Sequence, residues 1–224
     1  GPKSRKALKR LTNTDLSNET FRFTRSRTID VAGIECLAIR VSFTGDLGWE
    51  LHCAETDQVA LYSMLIRAAK ECGGGPVGGR ALGSLRIEKG YGSWGREYSQ
   101  EYWPQEVGLD GLIKLDKDFL NKEAYLSVKD NACREVLSMF EIDISEDADA
   151  TGGELIFTPD GQPVGRVTSG AYGYSVGKSL ALGLSNPRVA QPGDSVEVFI
   201  LGKPHKAVIL SEPPFDPAGL RLRC

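Results

Sequence analysis

The feature that most constrains the fold is a change of texture near residue 132. From Cys133 onward, short β-rich runs at 133–144, 154–158, 162–168, 178–186, 194–201 and 204–210 alternate with turn-forming residues. Thr158-Pro159-Asp160-Gly161 is a turn by composition, and Gly202-Lys203-Pro204 is another. Short strands repeated at this spacing predict a small antiparallel barrel or sandwich. The sequence before this point mixes helical and extended patterns. The chain is therefore divided into an α+β part, 1–132, and an all-β part, 133–224.

In the first part, Leu8 and Leu11 allow a short helix, and Asp15 or Ser17 could cap the segment after it. Residues 28–42 predict a hairpin turning near Ala32-Gly33, and 48–53 a short strand. Leu61, Met64, Leu65, Ala68 and Cys72 recur at the spacing of one helical face, so Asp57 to Cys72 predicts a helix. Asp57 suits its first turn or cap, and Gly73-Gly74-Gly75-Pro76 ends it. A second helix is predicted from Arg80 to Gly90, with Leu82, Leu85 and Lys89 down one side, and a third from Asn121 to Lys129.

Bulk properties exclude several functions. The net charge is -3 and no long basic run occurs, so nothing supports nucleic-acid binding. No apolar run approaches the roughly 20 residues of a membrane span. The five cysteines include no C-x-x-C pair, and His52 and His205 are far apart. Reduced thiols without a metal site are expected. The opening Gly1-Pro2 reads as an expression scar or a chain cut from something longer. The basic residues after it lack the apolar stretch of a secretory signal.

Three stretches could carry chemistry. In Ser42-Phe43-Thr44-Gly45-Asp46-Leu47-Gly48-Trp49-Glu50-Leu51, Gly45 and Gly48 permit a tight turn of positive φ. Glu50 then projects from a strand start, where a carboxylate can accept two parallel hydrogen bonds from a flat N–H edge such as a pterin or purine. An ordinary turn with solvated acids fits the same residues. In Leu85 to Tyr98, Arg86 can fork onto a carboxylate, or pair with Glu88 as a structural bridge. Trp94 and Tyr98 offer flat faces, although a tryptophan is by default a core residue. Ser169 to Lys178 reads as a Gly/Ser/Tyr loop between strands, without phosphate-loop spacing. No Ser-His-Asp arrangement and no G-x-G-x-x-G after a strand occurs, which argues against hydrolase and dinucleotide-binding readings.

Taken in order, these stretches resemble the glycine-cleavage T-protein, or aminomethyltransferase, family. Phe43 to Leu51 resembles its Y-T/V-G-E-x-G-W/F-E signature, and Leu85-Arg86-Ile87-Glu88-Lys89 its L-R-L-E helix. Glu106-Val107-Gly108-Leu109 with Lys114-Leu115, and Phe119 to Ala124, resemble two further motifs. Glu88 to Tyr91, Trp94 to Tyr98, Thr168 to Ser175 and Lys178 to Ala181 are similar to the dimethylglycine and sarcosine dehydrogenase branch. The resemblance spans about Leu11 to Leu210.

It implies an α+β fold: part of an aminomethyltransferase folate-binding domain, followed by a small antiparallel Greek-key-like β-barrel. It implies tetrahydrofolate as cofactor, with FAD in an upstream domain of the parent protein only. The implied reaction is one-carbon transfer from a small N-methyl amine. Implied partners are the upstream FAD and N-terminal folate-domain segments, without nucleic acid or membrane. The implied location is the cytoplasm of a bacterium or the mitochondrial matrix of a eukaryote. Glu50 matches the family glutamate that grips the pterin, Arg86 the arginine near the folate, and Trp94 a wall position. Asp46 stands where the family has Glu and receives no ligand contact. The family's catalytic aspartate is expected upstream, so no catalytic residue is assigned and the fragment alone is expected to be inactive. A stand-alone aminomethyltransferase is the near alternative. A non-catalytic subunit resembling the pyruvate dehydrogenase phosphatase regulatory subunit is the alternative from another class.

Overall fold

The computed structural model describes residues 1–143 and 148–224. Ile144, the last residue of the predicted 133–144 run, lies outside the described residues. Packing divides the chain into two compact units: Gly1–Lys89 with Phe215–Cys224, and Gly90–Pro214.

The first unit holds α1 (Ser4–Leu8), β1 (Ser26–Val31), β2 (Ile34–Ile39), β3 (Glu50–His52), α2 (Gln58–Glu71) and α3 (Gly79–Glu88). The strands form an antiparallel sheet in the order β1-β2-β3, with Val31 opposite Ile34 and Ala38 opposite Leu51. The β1–β2 hairpin turns at Ala32 (φ 53°) and Gly33 (φ 86°), the two left-handed residues that match the twist of the strands. The Asp30 carboxylate accepts the Gly33 N–H at 3.0 Å. Ile29, Val31, Cys36 and Ala38 alternate inward against Leu8, Leu16, Phe21 and Leu61.

Helix α2 turns Leu61 and Ala68 inward, with Leu65 packed on the same cluster, as its periodicity requires. Gly73 (φ 74°) ends it, and the Gly74 N–H donates to the Ala69 carbonyl at 2.8 Å. Asp57 occupies the cap position without a side-chain cap bond, so only its charge assists the helix end. Asp15 caps no helix. Its carboxylate closes a local turn on the Ser17 N–H at 2.9 Å, and this bond is the main cause that lowers its pKa. The predicted side of α3 is also different. Leu82 is exposed, and the buried residues are Ser84, Arg86, Ile87 and Glu88, because the last turn is enclosed on all sides.

The second unit holds α4 (Lys122–Val128), β4 (Val136–Ile142), β5 (Leu155–Phe157), β6 (Pro163–Gly173), β7 (Lys178–Ser185), β8 (Ser195–Ile200) and β9 (Lys203–Leu210). The six strands close an antiparallel barrel in the order β4-β7-β6-β5-β8-β9. The order 4-7-6-5 is a Greek key, with its long connection between β4 and β5. Phe140, Ile156, Val167, Val198 and Ile209 fill the interior. Gly183 has no room for a side chain: a Cβ there would sit 2.6 Å from the Arg166 carbonyl and 3.1 Å from the Phe140 ring.

Ser169 to Gly173, expected from the sequence to be loop, is strand. β6 continues to Gly173, and only residues 174–177 form the turn before β7. Gly170 acts as a strand residue because the Ala150 backbone lies where its side chain would be. The second predicted turn falls at Leu201 (φ 50°) and Gly202 (φ 78°), so Lys203 and Pro204 open β9.

Candidate functional site

Glu50 opens β3, and its carboxylate is 62% exposed with His52 Nε2 3.5 Å away. The two side chains, two positions apart, share one face of the strand. Leu51 between them packs on the core cluster and lines an apolar cavity of about 620 Å³ with Leu8, Trp49, Leu65, Ile66 and Val77. The carboxylate and the cavity therefore lie on opposite faces of β3.

The segment before Glu50 is held from several sides. Trp49 packs edge-on against Phe21 at 6.2 Å, with Arg5 and Arg40 guanidinium carbons 5.7 and 5.6 Å from its ring centre. The fully enclosed Arg40 donates to Asn18 Oδ1 and the Phe21 carbonyl, each at 2.7 Å, and to the carbonyls of Leu222 and Cys224. Gly45 has a φ of 82°, and a Cβ there would sit 2.7 Å from Lys89 Cδ. Gly48 is not left-handed and serves another need: a Cβ would lie 3.3 Å from the Val41 carbonyl.

The packing of Lys89 beneath Gly45 joins the two signature stretches, because Lys89 ends the helix that carries Arg86. Arg86 is 5% exposed in the last turn of α3, where its cation complements the helix dipole. Lys89 is buried, and its Nζ donates to the Asp216 carbonyl. Burial lowers its pKa, while the Asp216 charge opposes that shift. Asp46 accepts Arg221 Nε at 3.0 Å, and Arg221 covers the Phe215 ring at 5.0 Å. The Asp216 carboxylate accepts the Leu220 and Arg221 N–H groups, each at 3.0 Å. The segment 215–223 thus binds the Gly45–Asp46 turn and the end of α3. Sequence reasoning missed Lys89, Asp216 and Arg221, since no local pattern pairs positions so far apart.

Trp94 belongs to the second unit and is 79% exposed, so it is not a core residue. Its loop, 90–98, is anchored by the fully buried Glu97. Among the described residues, no group of three or more His, Cys, Asp or Glu side chains could hold a metal. All five cysteines are free thiols. No helix among the described residues is long and apolar enough to cross a membrane.

A three-stranded sheet with flanking helices, a six-stranded Greek-key barrel and an exposed carboxylate after a Gly-rich turn together define a class. Residues 1–117 match the GCVT N-terminal domain, and residues 136–216 the glycine cleavage T-protein C-terminal barrel domain. The chain belongs to the glycine cleavage T-protein family. It is 40% identical over 215 residues to the mitochondrial dimethylglycine dehydrogenase of Homo sapiens, covering 95% of this chain and 25% of that protein. It is 35% identical over 213 residues to an aminomethyltransferase of Thermoanaerobacter pseudethanolicus, covering 95% of this chain and 57% of that protein. The crystal structure of glycine cleavage system aminomethyltransferase T from Bartonella henselae superposes with a TM-score of 0.72 at 22% identity, over 81% of this chain and 50% of that one. The chain thus spans about a quarter of the length of the dimethylglycine dehydrogenases it matches.

Proposed function

We propose that this chain is the C-terminal part of a tetrahydrofolate-dependent one-carbon transfer protein of the dimethylglycine or sarcosine dehydrogenase kind. The observation that carries the reading is the match across both domains, at 40% identity to a dimethylglycine dehydrogenase. The parent protein would carry FAD in an upstream domain and oxidise a small N-methyl amine. It would work in the mitochondrial matrix of a eukaryote or the cytoplasm of a bacterium. The gap between the two matched spans supports a domain boundary near residue 132, although packing groups the chain at Lys89/Gly90 and Pro214/Phe215 instead.

The residues fit the cofactor. Glu50 offers an exposed carboxylate at the start of β3, after a turn packed on Lys89 at Gly45, suited to the paired N–H donors of a pterin edge. Arg86, enclosed at the end of α3, stands where the family has an arginine near the folate. Trp94, in the second unit, offers an exposed flat face at the position that the resemblance gives as a wall. Tetrahydrofolate, when bound, supplies the amine nucleophiles that take up the one-carbon unit. The protein's part is to hold the acceptor in place and keep water from a short-lived iminium. The group that moves the proton is expected in an upstream segment of the parent.

The test is folate titration of the full-length protein beside its Glu50→Ala variant, with turnover on dimethylglycine and sarcosine. Loss of one charged hydrogen-bond acceptor should weaken binding on the order of tenfold or more. Equal affinity in the variant sinks the assignment of Glu50. Absence of folate binding in the wild type sinks the function, and binding without turnover would mark a regulatory relative.

A further inference from the structure

We propose that Glu97 is a positioning residue: from inside the second unit it fixes the 90–98 loop so that Trp94 stands as a rigid face for a flat conjugated ring. The proposal rests on the folate reading for the identity of that ring.

Glu97 is 0% exposed, and both of its oxygens are engaged. Oε2 accepts the Ser93 N–H at 2.8 Å and the Ser93 hydroxyl at 3.2 Å. Oε1 accepts the Thr168 hydroxyl at 2.6 Å and also the Ser169 hydroxyl. Consecutive strand residues normally point to opposite faces, so Thr168 and Ser169 should not both reach one oxygen. They do because β6 is irregular here: Val167 pairs with Gly183 and Ser169 with Leu182, leaving Thr168 as the extra residue of a bulge. A bulge turns two neighbouring side chains to one side, and bulges commonly re-aim a side chain in this way.

The loop itself has little freedom. Gly95 (φ 81°) donates its N–H to the Tyr98 carbonyl at 2.8 Å, and the Tyr98 N–H returns to the Ser93 carbonyl at 3.1 Å. The Gly92 N–H donates to Tyr98 Oη at 3.1 Å, and a Cβ on Gly92 would sit 2.7 Å from the tyrosine ring and 2.8 Å from Glu97 Cβ. A buried carboxylate is costly unless its hydrogen bonds are complete, so such a constellation specifies one conformation. What that conformation presents outward is Trp94, 79% exposed on a fixed mount. A large exposed ring on a fixed backbone suits stacking on a planar ligand, since little backbone freedom is lost on contact.

The experiment is a double-mutant cycle in the full-length protein with 5-formyltetrahydrofolate as probe: Trp94→Ala, Glu97→Ala and both together. Glu97→Gln serves as the conservative variant. The single variants should each weaken binding about fivefold, a magnitude within the range of aromatic stacking. The double variant should bind no worse than Trp94→Ala, and Glu97→Gln should recover part of the loss. Effects that multiply, or an unchanged affinity in Glu97→Ala, overturn the proposal. If Glu97→Ala does not fold, Thr168→Val and Ser169→Ala, each lacking one hydroxyl donor, replace it in the cycle under the same criteria. A second readout is the ¹⁹F line of fluorotryptophan at position 94 in the ligand-free protein. The line should narrow in the Glu97 variant, and an unchanged width overturns the positioning role. If the wild type fails to bind the probe, the folate reading falls and the ¹⁹F line alone decides whether Glu97 fixes the loop.

Discussion

Removing the Glu106 carboxylate should destabilise the barrel unit by about 2–4 kcal/mol, a size set by the loss of charged hydrogen bonds and a cap. Glu106 is 3% exposed, behind the short turn Pro104–Glu106. Its Oε2 accepts the Trp103 N–H at 2.9 Å and Arg134 Nη2 at 3.2 Å. Its Oε1 accepts the Arg134 backbone N–H and Nε, each at 3.2 Å. The Arg134 side chain is 66% exposed and regains water when released, so its share is discounted. The Trp103 and Arg134 backbone N–H groups carry the remainder. For the roughly 125 residues of Gly90–Pro214 unfolding as a unit, about 3 kcal/mol lowers Tm by about 10 °C. Thermal unfolding of Glu106→Ala followed by circular dichroism measures this, and Glu106→Gln should fall between it and the wild type. Burial alone would raise the Glu106 pKa, but the Arg134 side chain and the two backbone donors outweigh it and hold the pKa below the ordinary range. A depressed carboxylate pKa stabilises the fold above the unfolded value near 4.3. That stability is lost as pH falls through the lower folded value. Glu106→Gln should abolish this acid-limb dependence. A Glu106→Ala variant within 1 kcal/mol of the wild type would refute the reasoning.

Three further outcomes are expected. Gly183→Ala should destabilise the barrel by about 1–3 kcal/mol in urea unfolding, since its Cβ meets the β6 backbone rather than a yielding side chain. Phe140→Ala should cost about 3–5 kcal/mol in the same assay, because a fully enclosed ring leaves a cavity. Gly45→Ala should cost about 1–3 kcal/mol through its left-handed backbone. It should also weaken folate binding, since displacing the Lys89 stem tilts the turn that carries Glu50; unchanged binding would separate the two.

The barrel was largely legible because its signals are local. The runs 154–158 and 194–201 became Leu155–Phe157 and Ser195–Ile200, bounded by the turn residues that marked them. What was not legible depends on distant partners. Gly170 reads as a loop breaker until the Ala150 backbone is seen against it. Trp94 reads as core by its size, yet two glycines and a buried glutamate hold it outward. Lys89 looks like a solvated helix end, and nothing near it announces Asp216. Glu106 was visible in principle: Trp103-Pro104-Gln105-Glu106 places Pro at the first position and Glu at the third, a capping pattern.

The return of Phe215–Cys224 to the first unit has a consequence for how the chain is made. Arg40 donates hydrogen bonds to carbonyls 182 and 184 positions downstream, and Lys89 reaches Asp216 across 127. The barrel unit is therefore an insertion in the chain of its neighbour. During synthesis the earlier unit can collapse around its hairpin and α2, but the final layer over Arg40 arrives only after the whole barrel has been translated. The barrel, continuous in sequence from Gly90 to Pro214, can close first. The unit that holds the earlier of these residues is then the later of the two to be completed.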